Sequence, residues 1–227
     1  KAGGFNLDRV QSSDGLSSGG PGILPVDDTS FPGEFVDSYE LGAKSTLEPA
    51  LKSLKKAEVE EAVFVPLDLR SATAYPPEFD DATAVAEKHG IMSVVSRPIG
   101  PATELLNILD ELVREALQAR SALELDGLVL VARSGGDARG SALLSRRARQ
   151  WSAHHRLPVQ LAIEEGDGKA TAAAVQALRA QGRRYVAVGG TFLAPGPAYR
   201  AHALAAQQAG AIAVTQPAMR SAPSASS

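Results

Sequence analysis

The strongest constraint on the fold is a regular alternation of short apolar runs with longer stretches of helical periodicity. Apolar runs of strand length occupy 62–67, 91–95, 128–131, 158–163, 185–188 and 211–215. Stretches with helical spacing of apolar residues occupy 47–56, 80–88, 103–120, 140–153, 170–180 and 200–209. Short apolar strands separated by helices are typical of parallel sheets that helices cover. The sequence therefore predicts an α/β fold with parallel sheets, in which the run at 62–67 is buried on both faces.

The ends of the chain have a different composition. Residues 1–33 are rich in Gly, Ser, Asp and Pro, and we predict a flexible or irregular N-terminal segment there. Two β-prone runs, 23–26 and 35–39, lie in or beside it. Residues 221–227 are predicted to be a disordered tail. Because the chain begins at Lys1 rather than Met, we expect the native N-terminus to be missing or processed.

The two halves of the sequence match each other at an offset of 124 residues. The matched pairs are Tyr39 and Ile163, Glu40 and Glu164, Ala50 and Ala174, Leu54 and Leu178, Leu69 and Leu193, and Tyr75 and Tyr199. This repeat predicts two similar parallel-sheet units, at 34–122 and 123–220. The first unit shows no counterpart of the strand at 128–131, which the run at 23–26 or residues upstream of Lys1 would supply.

Composition limits the chemistry that these units can perform. The chain has no Cys and four His, so thiolate metal sites, disulfides and thiol nucleophiles are excluded, and imidazole sites have few candidates. A net charge of −3 argues against a dedicated nucleic-acid binder. No apolar run approaches the ~20 residues of a membrane span. We therefore expect a cytoplasmic protein without nucleic-acid or membrane partners.

Charge differs strongly between the halves. Residues 36–100 contain 11 acidic and 7 basic side chains, whereas 126–220 contain 5 acidic and 12 basic side chains. Either the basic second unit docks on the acidic first unit or on a partner protein, or it faces an anionic ligand.

Three motifs follow strands of the second unit. The strand at 128–131 runs into Arg133-Ser134-Gly135-Gly136-Asp137, the strand at 158–163 ends in Glu164, and the strand at 185–188 leads into 189–198. With their repeats in the first half, these motifs resemble the small class II chelatases, the sirohydrochlorin cobalt- and ferrochelatases. The resemblance covers most of 36–216 and implies two similar units that face each other across a cleft.

The resemblance also implies a chemistry. Such enzymes use imidazole to bind the incoming Co²⁺ or Fe²⁺ ion, which is a substrate, and to accept pyrrole protons. Arg133 stands at the family's first His position, Ala198 stands at the second, and Ala74 is its repeat equivalent. Neither Arg nor Ala ligates a metal or accepts a proton at neutral pH. Of the motif carboxylates, Glu40 and Glu164 remain.

The candidate catalytic residues are therefore Glu40, Glu164 and His202. The alternative is that both glutamates are solvated and that His202 lies on a helix surface. His202 follows the lost His position by four residues and is the remaining candidate metal ligand. His154 and His155 are expected to be solvent-exposed, far from the carboxyl ends of the strands.

A second set of residues is predicted to bind the ligand: Arg133, Ser134, Gly135, Gly136, Asp68, Arg70, Thr191 and Tyr199. Arg133 follows a strand, where α/β sheets place ligands, and the glycine turn precedes a helix whose N–H groups can hold an anion. The alternatives are a solvated or interfacial Arg133, a simple tight turn, a local pair of Asp68 with Arg70, and a Tyr199 that seals a loop.

Three functions are open at this point. The favoured hypothesis is a divergent chelatase-like protein that binds an anionic tetrapyrrole, or serves a non-catalytic role in tetrapyrrole metabolism, because the family's imidazoles are absent. The second is an active chelatase that inserts cobalt or iron into sirohydrochlorin through Glu40, Glu164 and His202. The third is a protein-association scaffold built on the two oppositely charged units.

Overall fold

The computed structural model describes the backbone of residues 44–219 and the side chains of residues 47–219. Its helices are α1 (Lys44–Lys56), α2 (Glu78–Lys88), α3 (Leu105–Ala119), α4 (Ala138–His155), α5 (Lys169–Ala180) and α6 (Pro197–Gln208). Its strands are β1 (Glu61–Phe64), β2 (Met92–Val95), β3 (Gly127–Arg133), β4 (Val159–Glu164), β5 (Val186–Gly190) and β6 (Ala213–Val214). Each predicted helix and strand within 44–219 has its counterpart. The predictions at 1–33, 35–39, Glu40 and 221–227 lie outside the described residues.

Over residues 44–219 the chain is α/β, with two parallel sheets. Contacts divide it into two units. Of the described residues, 44–64 and 77–96 form the first unit, and 65–76 and 97–219 form the second. This division differs from the predicted boundary at 122/123, because the apolar face of α3 packs in the core around β3 and β5. The arrangement of the units across a cleft stays a prediction.

The first unit contains a two-stranded sheet. β1 pairs in parallel with β2, from Glu61 opposite Met92 to Phe64 opposite Val95. Ala62 and Phe64 pack against a helical cluster that includes Leu51 of α1. The alternate side chains point away from that cluster, and Val63 is 62% exposed. The prediction that 62–67 is buried on both faces is therefore wrong, and the strand ends at Phe64.

The second unit contains a four-stranded sheet in the order β4-β3-β5-β6. Leu128 and Leu130 of β3 point to one face, where they pack with α3 and α4. Val129 and Val131 point to the other face, where they pack with α5 and α6. Because helices cover both faces, β3 is buried from Gly127 to Ala132, as expected for a central parallel strand.

The order of the strands determines where a ligand is expected. From β3 the chain crosses through α4 to β4, and it then returns through α5 to β5 on the other side of β3. The loops after β3 and β5 therefore lead to opposite faces of the sheet. In open α/β sheets, ligands bind in the crevice outside the carboxyl ends of strands at such a reversal. None of the described helices is long and apolar enough to cross a membrane.

One close backbone approach holds the segment 65–76 against α4. A Cβ atom at Gly140 would overlap the carbonyl oxygen of Arg70. We expect Gly140→Ala to lower the free energy of unfolding by about 2 kcal/mol, since overpacking a close contact forces backbone shifts. Urea denaturation, followed by the fluorescence of the single Trp, measures this change. Gly196→Ala is the matched control, because its Cβ would meet no atom within 4 Å. Equal effects of the two substitutions would contradict the steric explanation.

Candidate functional site

The candidate site lies at the carboxyl ends of β3 and β5, where the strand order reverses. Arg133 is the last residue of β3, and its side chain is exposed. This side chain forms no hydrogen bond or ion pair with residues 47–219. A guanidinium with no internal partner retains all of its donors for a carboxylate from another molecule.

The turn after Arg133 is fixed from two sides. The Ser134 N–H donates to the Glu164 carbonyl oxygen at 2.8 Å, which extends the pairing of β3 with β4. The Ser134 carbonyl oxygen accepts from Nη1 of Arg70 at 3.1 Å. Gly135 has a φ of +85°, a left-handed conformation that favours glycine. These contacts hold Arg70 against the turn formed by Ser134, Gly135 and Gly136.

Asp68 and Arg70 form a local ion pair. Nε of Arg70 lies 2.8 Å from Oδ1 of Asp68, and the Arg70 backbone N–H donates to the same oxygen at 2.8 Å. Burial raises the pKa of Asp68, but the hydrogen bonds from Arg70 outweigh it and hold the pKa below its ordinary value. Because its guanidinium is bound to Asp68 and to the Ser134 carbonyl oxygen, Arg70 stabilises the turn and is not a free cation for a ligand.

Asp137 is a residue whose role sequence analysis missed. Its carboxylate accepts from the backbone N–H groups of Ala72, Thr73, Ala74 and Gly140, and from Oγ1 of Thr73. These donors, the Ala74 and Gly140 N–H groups foremost, hold the pKa of Asp137 well below its usual range. An Asp directly before a helix is a recognised N-cap signal and would have identified half of this role. The start of α4, where we expected an external anion, thus already holds an internal carboxylate.

Glu164 is completely buried at the end of β4. Its carboxylate accepts from the backbone N–H of Gly168 at 3.0 Å, and from both the N–H and Oγ1 of Thr171. It therefore caps the start of α5, and the expectation of a solvated carboxylate is wrong. The cause is that the loop 165–168 turns the helix N-terminus back over the strand end, where four N–H groups need acceptors.

His202 is also completely buried, so the expectation of a surface histidine is wrong. Its ring stacks on Phe192 at a centroid distance of 4.5 Å and meets Tyr199 edge-on at 5.4 Å. Neither ring nitrogen has a hydrogen-bond partner among the described residues. Burial lowers the pKa of His202 to about 4, against the opposing effect of the Glu164 charge. The imidazole is therefore neutral at pH 7, which is the form that binds metals.

Thr191 and Tyr199 have structural contacts. Thr191 is buried, and its N–H donates to the Val131 carbonyl oxygen at 2.8 Å. The Tyr199 hydroxyl donates to the Thr215 carbonyl oxygen at 3.1 Å, as expected for a residue that seals a loop. Tyr199 also lines a cavity of about 600 Å³ along β6, and Arg120 lines it too. Such a volume is ordinary for a small-molecule site.

The structure thus separates the predicted residues into two groups. Arg133 and the turn 134–136 lie at the surface of the strand ends, whereas Glu164, Thr191 and His202 are buried beneath it. Glu40 lies outside the described residues. The chain matches no model of a known protein family, and no curated protein matches it.

Proposed function

We propose that this protein binds an anionic tetrapyrrole at the carboxyl ends of β3 and β5 and does not insert a metal into it. The observation that carries the proposal is the exposed Arg133, which has no partner within residues 47–219 and ends the central strand at the reversal of strand order. Tetrapyrrole substrates carry several carboxylates, and a guanidinium is the side chain that recognises a carboxylate with two parallel hydrogen bonds.

Two further observations agree with an anionic ligand. Residues 65–76 and 97–219, which form the second unit, contain 15 basic and 11 acidic side chains, and this net positive charge attracts anions. Two of those acidic groups, Glu164 and Asp137, have their oxygens engaged by N–H groups, so neither carboxylate competes with a ligand for the Arg133 guanidinium.

The proposal of binding without insertion rests on the buried groups. Metal insertion needs a ligand or base that reaches the incoming ion. Glu164 is fully buried and accepts three hydrogen bonds, and His202 is fully buried beneath Phe192 and Tyr199. Neither group reaches a macrocycle at the surface without local opening of the unit.

The test is a titration with sirohydrochlorin, followed by absorbance under anaerobic conditions. Arg133→Ala is expected to weaken binding about tenfold, which corresponds to the loss of one charge-assisted hydrogen-bonded pair. Binding to the native chain should weaken with added salt, because the Debye length falls to about 8 Å at 0.15 M. Arg133→Ala should reduce this dependence on salt.

Two other arginine variants locate the ligand. Arg149→Ala removes an exposed cation from the middle of α4 and is expected to leave affinity unchanged. Arg120→Ala removes the cation that lines the cavity beside β6. If Arg120→Ala weakens binding and Arg133→Ala does not, the ligand occupies that cavity and the proposed site is wrong. If the native chain shows no binding, the proposed function is wrong and a scaffold role is favoured.

A second candidate function, metal insertion, is favoured by one feature of His202. Its imidazole is neutral at pH 7, and both of its nitrogens lack partners among the described residues, so it is chemically competent as a ligand once exposed. Addition of Co²⁺ or Fe²⁺ to the complex with sirohydrochlorin distinguishes the two candidates. Insertion faster than the uncatalysed reaction, and its loss in His202→Leu, would replace the binding proposal with catalysis.

A further inference from the structure

A second cluster of ligating side chains lies at the opposite end of α4 from Arg133. His154 and His155 occupy the last turn of this 18-residue helix, about 25 Å from its first turn. Asp110, in the middle of α3, faces them. We propose that Asp110, His154 and His155 form a binding site for a divalent transition-metal ion.

The distances suit a single ion. Nε2 of His155 lies 2.7 Å from Oδ1 of Asp110, and Nε2 of His154 lies 3.9 Å from Oδ2. One ligand atom from each of the three residues falls within 4.8 Å of the others. Two ligands of a tetrahedral zinc ion are about 3.4 Å apart, as follows from metal–ligand bonds of about 2.1 Å. Small rotations of the two imidazoles are therefore sufficient to close the site around an ion.

The carboxylate is held in place before an ion arrives. Nε1 of Trp151 donates to Oδ1 of Asp110 at 2.6 Å, and the Trp151 ring is buried in the core. A ligating carboxylate that accepts a hydrogen bond from a fixed neighbour is typical of protein metal sites. The His155 ring packs edge-on against Trp151 at 6.1 Å and is only 30% exposed, contrary to the expectation of a solvent-exposed connector.

The dipole of the helix also favours a cation. The site lies at the C-terminus of α4, where the helix dipole presents partial negative charge. The helix ends there because Arg156 adopts a left-handed conformation with φ of 55°. In the absence of an ion, Nε2 of His155 and Oδ1 of Asp110 lie within hydrogen-bonding distance of each other.

The donor set identifies the class of ion. Two imidazole nitrogens and one carboxylate suit zinc, cobalt, nickel or copper, whereas magnesium and calcium prefer oxygen donors alone. With three protein ligands, at least one position stays open to water. No residue of this cluster belongs to the candidate tetrapyrrole site, so this inference does not depend on the proposed function.

Isothermal titration of the untagged full chain with Zn²⁺ at pH 7.5 tests the proposal. We expect one ion per chain with a dissociation constant in the low micromolar range. His154→Ala should weaken binding by at least about tenfold, and Asp110→Asn should do the same while it retains an acceptor for Trp151. Co²⁺ should give the visible absorption of an ion bound to nitrogen.

The control is His89→Ala, which removes an imidazole at the end of α2 and should leave affinity unchanged. His154 is 72% exposed on its side chain, so its removal leaves the fold intact and decides the question even if Asp110→Asn destabilises the chain. Failure of the native chain to bind Zn²⁺, or equal affinity of native and His154→Ala proteins, would overturn the proposal. Neither result bears on sirohydrochlorin binding.

Discussion

Glu164→Gln is expected to lower the free energy of unfolding of the second unit by about 3 kcal/mol. The native carboxylate accepts hydrogen bonds on both oxygens, from Gly168 on one and from Thr171 on the other. A carboxamide of the same shape keeps one acceptor and turns an NH₂ group toward the donors that the second oxygen served. Because the site is completely buried, water cannot satisfy the groups left without partners.

Urea denaturation followed by Trp151 fluorescence measures this loss, since the ring is buried in the core of the same unit. Glu165→Gln is the matched control: the adjacent carboxylate is exposed, and we expect its replacement to change stability by less than about 0.5 kcal/mol. Equal stability of Glu164→Gln and Glu165→Gln would contradict the capping role. It would favour the hypothesis that Glu164 is a free carboxylate available for catalysis.

Acidification from pH 7 to pH 4 is expected to destabilise the second unit through His202. Burial lowers the pKa of His202 from its ordinary value of 6.5 to about 4 in the folded protein. Between these values the unfolded chain binds a proton that the folded chain does not, so stability falls as the pH falls through this window. A shift of this size corresponds to about 3 kcal/mol at the lower end.

The measurement is the free energy of unfolding as a function of pH in the native chain and in His202→Leu. The variant should lose most of the slope between pH 6.5 and pH 4, because leucine has no proton to bind. His89→Gln removes a different histidine and should keep the native slope. Glu164 is the charged group that faces His202, and its charge opposes the shift. If His202→Leu retains the whole slope, another group is responsible.

The elements of the fold were predictable because their signal is local. Each helix within 44–219 shows apolar residues at helical spacing, and each strand is a short apolar run. The hydrophobic pattern alone therefore predicted all twelve of these elements. The exposure of one face of β1 was not predictable, since an apolar run does not tell which element will cover it. The predicted boundary at 122/123 differs from the observed division for a similar reason, because the sequence does not state which sheet the apolar face of α3 will join.

The candidate site was predictable in its location and not in its chemistry. Its location follows from the position of Arg133 at the end of a parallel strand, where α/β sheets bind ligands, whereas the order of the strands came only from the structure. The depth of Glu164 and His202 depends on Thr171, Phe192 and Tyr199 closing over them. These residues lie up to about ten positions from the groups that they cover. Whether they cover them depends on the direction of each side chain, which residue spacing does not predict.

The sequence by itself determined that this protein is α/β with parallel strands, lacks thiol chemistry and carries its basic charge in the second half, because composition and hydrophobic period are properties of the chain alone. Only the tertiary structure decided which titratable groups are free. It engages Asp68, Asp137 and Glu164 in hydrogen bonds and leaves Arg133 exposed. It also brings Asp110 to His154 and His155, which lie more than 40 positions further along the chain. The physical reason is that hydrogen bonding and desolvation depend on distances in space, which packing of the helices on the sheet sets and the local sequence does not.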